Sequence, residues 1–406
     1  MRVPKFRALQ FSLAVAICGA SLVACKNSSS SPDPNEVAMG QRAAIKKKWE
    51  FKLGSRADGA LALSDDGTII AACQDGFVYA VDSNGNLQWK TYVGPTHASP
   101  SIGPDGAVYI ANDNGSVIAL NRSGSERWKS VVYEGNTYGH NAAAVGSSFL
   151  FTPSRGGLVA VNLSDGKVEW STNLGTEQWG AVTLLSDGTV LFGGHARLNA
   201  VSTRGDDLWQ YPPLAADATR RNGGFPPPGN FPVTTGVTPG PNHILFMGVG
   251  WNELAAIGQG GAFHWKLDSR GTGLNTASPV VASDGTVYFA HADGHLYALD
   301  FLGNKKWDLD TAGAISVTPL LASDGTIFLM ANRYLYAVTP EGKVIAQADV
   351  AGVTSPPTIS SDGTIYLANA SGMLVAYEGG HGGLMESPWP KYQGDVANSG
   401  IERGVN

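Results

Sequence analysis

Ser283-Asp284-Gly285-Thr286-Val287-Tyr288-Phe289-Ala290-His291-Ala292-Asp293-Gly294-His295-Leu296-Tyr297-Ala298-Leu299-Asp300-Phe301-Leu302-Gly303-Asn304-Lys305-Lys306-Trp307 places three turn signals between short runs of β-formers. Asp-Gly or Gly-Asn between β-branched and aromatic residues is a strong short-range hairpin signal. Residues 277–281, 286–290, 295–300 and 305–309 therefore read as four consecutive antiparallel strands. The third, with Leu296, Tyr297, Ala298 and Leu299, is apolar on both faces, so this small sheet must be covered on both sides.

The same pattern recurs outward in both directions with a period near 40. Tryptophan stands at 49, 89, 128, 170, 209, 265 and 307, with Gln347 in the next expected place. An alanine precedes each recurrence, at Ala80, Ala119, Ala160, Ala200, Ala256, Ala298 and Ala337, and Ala376 is an eighth. Val or Leu lies two residues before each, from Val78 to Leu374. Asp-Gly begins at Asp66, Asp105, Asp187, Asp284, Asp324 and Asp362, with degenerate turns near Gly146 and Asn242. Three markers count eight units of about 41 residues, the signature of a repeat architecture. Radial packing of four-stranded blades covers each sheet on both sides, so the expected fold is an all-β, eight-bladed β-propeller of four-stranded antiparallel blades.

The last unit ends after Ala376 and Tyr377 in a glycine run, one strand short, while residues 48–53 form a tryptophan strand with no blade before it. Pairing the two closes the ring by an N-terminal strand. The alternative donor, Trp389, is flanked by Pro388 and Pro390, and proline cannot donate to a ladder. Composition agrees: 52 Gly and 22 Pro among 406 residues, with only 15% charged, exclude a helical bundle, a coiled coil or an acidic disordered chain.

The chain ahead of the repeats reads as an address. Arg2, Lys5 and Arg7 precede an apolar stretch ending at Ala24, the pattern of a secretory signal. Leu22-Val23-Ala24-Cys25 resembles the bacterial lipobox, which implies a lipid on Cys25 and removal of residues 1–24; an ordinary cut near Ala24 is the alternative. Residues 25–47 then form a Ser/Pro-rich tether with a reach of about 25 to 30 Å as a coil. Residues 48–378 form the propeller and 379–406 a C-terminal tail packed on it. Without residues 1–24 the net charge is −9. An acidic chain lacks the basic footprint that phosphate binding needs, so nucleic acid is not expected as a partner. Cys73 is the one remaining unlipidated cysteine, which leaves no intrachain disulfide and no Cys-rich metal site.

The repeat Ser-Asp-Gly-Thr-(Val/Ile)-Tyr, Gly-x-Leu-Tyr-Ala-(Leu/Val)-Asp, Gly-x-x-x-Trp, clearest over residues 284–307, resembles the quinoprotein-type, or PQQ-like, propeller repeat. The run Trp389-Pro390-Lys391-Tyr392-Gln393-Gly394-Asp395 resembles a terminal motif of such proteins. A lipobox before an eight-bladed propeller is similar to the BamB family of lipoproteins, which serve the machinery inserting β-barrels into bacterial outer membranes. That resemblance implies a lipid-anchored, non-enzymatic scaffold at the periplasmic side of the outer membrane, monomeric within a complex with the β-barrel assembly machinery. Lys26 after Cys25 implies the outer membrane by the sorting rule of enteric bacteria.

Quinone-dependent dehydrogenases share the repeat, and a degenerate member is one alternative. Many, however, carry a vicinal disulfide that a single cysteine cannot form, and the insertions that build their pocket are missing. Asp82 to Gly85 looks like calcium-ligand spacing but sits where a hairpin turn is required. No nucleophile elbow, zincin helix or phosphate loop is present. His291 and His295 are expected to be exposed hairpin residues. No cofactor or metal follows from these residues.

Strand order sends first-to-second and third-to-fourth connections to one end of the disc, where they are tight turns, and the irregular connections to the other. The interval from Trp209 to Trp265 is 56 residues, with its excess between Tyr211 and Pro241. A long loop in a compact domain is commonly functional, and this one holds Arg220, Arg221, Phe225 and Phe231 among prolines. Tyr138, His140, Arg155, Trp179, His195, Arg197 and Trp251 are expected on the same face. Aromatic and Arg side chains favour a protein partner there, with a glycan or other ligand at the mouth as the alternative. Acids such as Glu134 or Glu177 are candidate partners for the arginines. Removing residues 214–238 is expected to leave the fold intact.

Overall fold

A computed structural model describes residues 43–133, 142–172, 176–177, 180–194, 197–212, 233–250, 252–269 and 276–402, with backbone alone at 43, 155–156 and 176–177. The architecture is the expected one. Eight antiparallel sheets follow one another along the chain, each of four strands, and one gains a fifth. In the sixth blade the strands are Val280–Val281, Val287–Ala290, His295–Leu299 and Lys305–Asp310, within three residues of the boundaries that the turn signals mark.

The repeated residues have identifiable tasks. In the Asp-Gly turns the carboxylate braces the hairpin: Oδ1 of Asp66, Asp105, Asp187, Asp284, Asp324 and Asp362 accepts the N–H two residues on at 2.8 to 3.1 Å. The alanine lies in the third strand, and in several blades it stands opposite the tryptophan of the fourth and an aromatic of the second, as with Ala298 between Trp307 and Tyr288. Its small side chain lets the two rings meet over it, at centroid distances of 5.8 Å for Tyr288 and Trp307 and 5.9 Å for Phe151 and Trp170. In these blades the alanine organises packing within the sheet.

The tryptophan makes the link between blades. Its indole N–H donates to a carbonyl in the outer turn of the next blade: Trp49 to Ser83, Trp89 to Arg122, Trp128 to Leu163, Trp170 to Thr203, Trp265 to Phe301 and Trp307 to Pro340, all at 2.8 to 3.0 Å. The ring then lies on the glycine of that turn. At Gly85, φ is +87° and a Cβ would stand 2.9 Å from Trp49 Cδ2, so both the backbone conformation and the close approach require glycine.

Ring closure follows the same chemistry. Lys47–Lys52 pairs antiparallel with Met373–Glu378, and Trp49 stands opposite Ala376. The N-terminal strand is therefore the outer strand of the eighth blade, and Trp49 clasps the eighth blade to the first. Ala43–Ala44, within the segment read as tether, runs parallel to the outer strand of the seventh blade, Val344–Asp349, opposite Ala346 and Gln347. This is the blade without the tryptophan, and Ala346, opposite Ala337, takes its place in the register, one residue before the expected Gln347.

The C-terminal residues lie across the turn-side ends of the inner strands. The N–H groups of Leu63, Ile102, Val145, Leu184, Val281 and Leu321 donate to carbonyls of Val396, Ala397, Ser399, Gly400, Trp389 and Pro390 at 2.7 to 2.9 Å. Trp389 thus bridges the inner edge of the sixth blade rather than an outer edge. Lys391 is fully buried in this segment, and its ammonium donates to Asn398 Oδ1 at 2.6 Å, Asp395 O at 2.9 Å and Tyr392 O at 3.0 Å. Asn398 Nδ2 in turn donates to Ala60 O and Pro100 O, at the starts of the first two blades.

Candidate partner-binding surface

The two faces of the disc are built differently. On the turn side, tight hairpins surround a depression of about 800 Å³ whose wall includes Leu384, Met385 and Glu386 of the tail together with Ser64, Asp66 and Asp362. Its carboxylates serve the fold: the Ser360 hydroxyl, with the Thr364 N–H and Lys48, holds Asp362 down to about 2 against the opposing effect of burial. Asp82 is likewise committed, accepting from the N–H groups of Asn84 and Asn86 and from the side chains of Asn86 and Gln88. These four bonds account for the spacing that resembles a calcium loop. Among the described residues, no three His, Cys, Asp or Glu side chains gather as metal ligands.

On the opposite face the connections depart from the repeat. In the third blade the second and third strands merge into one 14-residue strand, Phe149–Asn162. Its middle pairs with Thr176–Glu177, with Arg155 opposite Glu177 in the register. This places the Arg155 backbone in an extension on the irregular face. In the fourth blade Arg197 is half-buried and donates from Nη1 to Gln210 Oε1 at 2.8 Å, a neutral partner rather than the expected acid. Tyr138, His140, Trp179, His195, Arg220, Arg221, Phe225, Phe231 and Trp251 lie outside the described residues, as does Cys25.

Both stems of the long connection are fixed in the core. Tyr211 is fully buried, and burial pushes its phenol up to about 12. Val233 is also fully buried, and a Cβ on Gly193 would stand 2.7 Å from its Cβ. Val237 and Thr238 continue directly into the inner strand of the fifth blade and are buried. Removing residues 214–238 would therefore excise core residues, contrary to the sequence expectation. A deletion that spares the blade must stop at 231.

Two polar clusters on this face lie outside the repeat markers. Around the first two blades, Asp58 accepts from Arg56 Nε at 2.6 Å and from Gln74, while His97 Nδ1 stands 2.9 Å from Asp113 Oδ2. Nothing in the repeat spacing singles these residues out, because all five belong to connections. Around the sixth blade, His291 is completely buried and His295 half-buried, so the expectation of two exposed histidines is wrong. The hairpin folds His291 inward against Phe289, with ring centroids 5.9 Å apart.

Ser269, His291 and Asp293 have the composition of a nucleophilic triad, but the group is closed in on itself. Ser269 Oγ stands 3.1 Å from His291 Nε2 and 3.3 Å from Nδ1, while the Asp293 N–H and its Oδ1 both lie against Nδ1, at 3.1 and 3.2 Å. With His291 fully buried, these contacts brace the turn. Cys73 is similarly inert, since burial pushes its thiol up, away from the reactive thiolate.

Comparison with known proteins places this geometry. The family model described as outer membrane protein assembly factor BamB matches residues 35–205 and 194–398. The crystal structure of BamB from Moraxella catarrhalis is similar at a TM-score of 0.64 and 18% identity, covering 82% of this chain and 100% of that one. The computationally designed Ika8 protein gives 0.65 and 12%, covering 82% and 100%. The C-terminal WD40 domain of Sif2 gives 0.64 and 11%, covering 83% and 99%. Comparison with curated proteins gives no match. At these identities the structural likenesses carry the fold alone, whereas the family model spans most of the chain in two successive matches. The chain belongs to the BamB family of PQQ-like β-propellers.

Proposed function

We propose that this protein is a non-enzymatic scaffold, anchored by a lipid on Cys25 to the periplasmic side of the bacterial outer membrane. Through its irregular face it binds a protein partner of the β-barrel assembly machinery. The observation that carries this reading is the inequality of the two faces. Backbone hydrogen bonds from six inner strands hold the tail across the turn side, which disfavours a ligand threaded along the axis. The other face carries an added strand pairing at Arg155 and the stems of the long connection. Long connections on a rigid scaffold are where recognition concentrates.

The test is recovery of partners on the full-length lipoprotein from detergent-solubilised membranes. Recovery of the β-barrel insertase supports the scaffold, and its clean absence rejects it. Deleting residues 214–231, between the buried stems, should retain the wild-type melting temperature within a few degrees while lowering recovery at least tenfold. Unchanged recovery would show that the partner docks elsewhere.

A further inference from the structure

A blade's outer strand exposes a row of backbone donors and acceptors to solvent, and folded proteins blunt such edges with charge, short length or a cover. Seven outer strands here carry the charge early. Lys90, Glu126, Glu169, Asp207, Lys266, Lys305 and Lys47 each stand within the first four residues of their strand. The seventh blade is different: Val344-Ile345-Ala346-Gln347-Ala348 is uncharged, and Asp349 comes only at its end, paired to Arg333. Ile345 is 39% exposed.

Among the described residues this is also the one blade that bears a fifth strand. Ala43–Ala44 lies parallel to it, Ile45 N donates to Gln347 O at 3.0 Å, and Ile45 packs against the core shared by the seventh and eighth blades. Among the described residues the cover matches two residues of a six-residue edge. Strand addition with parallel polarity is therefore realised on this edge by the chain itself.

We propose that the outer edge of the seventh blade is a strand-addition site for an uncharged extended segment of another polypeptide, and that Ala43–Ala44 is a replaceable cover over it. The incoming strand takes the same parallel register, gaining main-chain hydrogen bonds along Val344–Asp349. Its chemistry follows from the edge: no formal charge opposite Ile345 to Ala348, and apolar side chains on the face that Ile45 now occupies. The site lies on the rim, apart from the irregular face, and does not depend on which partner docks there.

The test uses the full mature chain and a fluorescent peptide of about twelve residues, alternating threonine and valine with a lysine at each end. Ile45→Pro removes the N–H that bonds Gln347 and loosens the cover. It should bind the peptide at least tenfold more tightly than wild type, because an intramolecular cover competes at high effective concentration. Ile345→Lys, at an exposed position, should abolish binding in both backgrounds. If Ile45→Pro does not fold, Ile45→Gly keeps the N–H, removes the anchoring side chain and serves in its place. Equal affinity for wild type and the loosened variant, retention of binding by Ile345→Lys, or no binding by any folded variant would overturn the proposal. So would concentration-dependent dimers of the loosened variant that exclude the peptide, since the occupant would then be a second copy.

Discussion

Lys391→Met should destabilise the protein by about 3 kcal/mol or more, since one buried charged donor serves three acceptors. The ammonium donates to Asn398 Oδ1 and to the carbonyls of Asp395 and Tyr392, with no exposure of the side chain. Methionine fills much of the volume but leaves those oxygens without this donor in a place that water does not reach. The effect should spread beyond the tail, because Asn398 also donates to Ala60 and Pro100 and so ties the segment to the first two blades. Urea unfolding of wild type and variant measures it. A shift under 1 kcal/mol would mean that the tail rests on the ring without holding it.

Trp49→Ala should rank next, at about 3 kcal/mol, the lower end of large-to-small aromatic losses because the ring is partly exposed. It removes the indole bond to Ser83 O, the contact with Tyr366 at 5.8 Å and the cover over Gly85. The other inter-blade tryptophans join blades that the chain already connects. Trp49 joins the two ends of the ring. Its loss should therefore open the closure seam locally, and hydrogen exchange at residues 364–378 should accelerate ahead of the other blades. Trp307→Ala is the control, with the same indole bond, tyrosine contact and glycine cover but no seam. Uniform exchange in both variants would show that closure does not depend on this clasp.

Much of this architecture was legible from three markers because each is a local physical requirement that recurs from blade to blade. Asp-Gly sets a hairpin, alanine sets the space between two rings, and tryptophan sets the contact with the next blade. Closure was legible for the same reason, since Trp49 has a strand's spacing and no blade of its own. What the pattern could not show depends on single, non-repeated contacts. Lys391 reads as a surface residue until its three acceptors are placed around it. Ala43 and Ala44 carry no signal for pairing, and their position against Gln347 is set by the fold. His291 sits in a hairpin sequence, yet its ring turns inward because Ser269 and Phe289 receive it.

The irregular face was less legible, because its residues belong to connections that obey no period. Arg197, for which an acid was the expected partner, bonds Gln210 instead. The long connection was recognised by its length, but its C-terminal stem extends further into the core than composition suggests, through Val233 and Val237.

Site-directed photo-crosslinking in intact cells tests the scaffold reading most directly. A crosslinking residue at Arg197 or Asn252, in the second-to-third connections of the fourth and fifth blades, reports the irregular face. One at Ser83 or Asp165, both exposed, reports the turn side. Crosslinks from Arg197 and Asn252 to one outer-membrane assembly protein, with none from Ser83 or Asp165, are the expected result. Crosslinks to that protein from the turn side alone, or from no position, would contradict it.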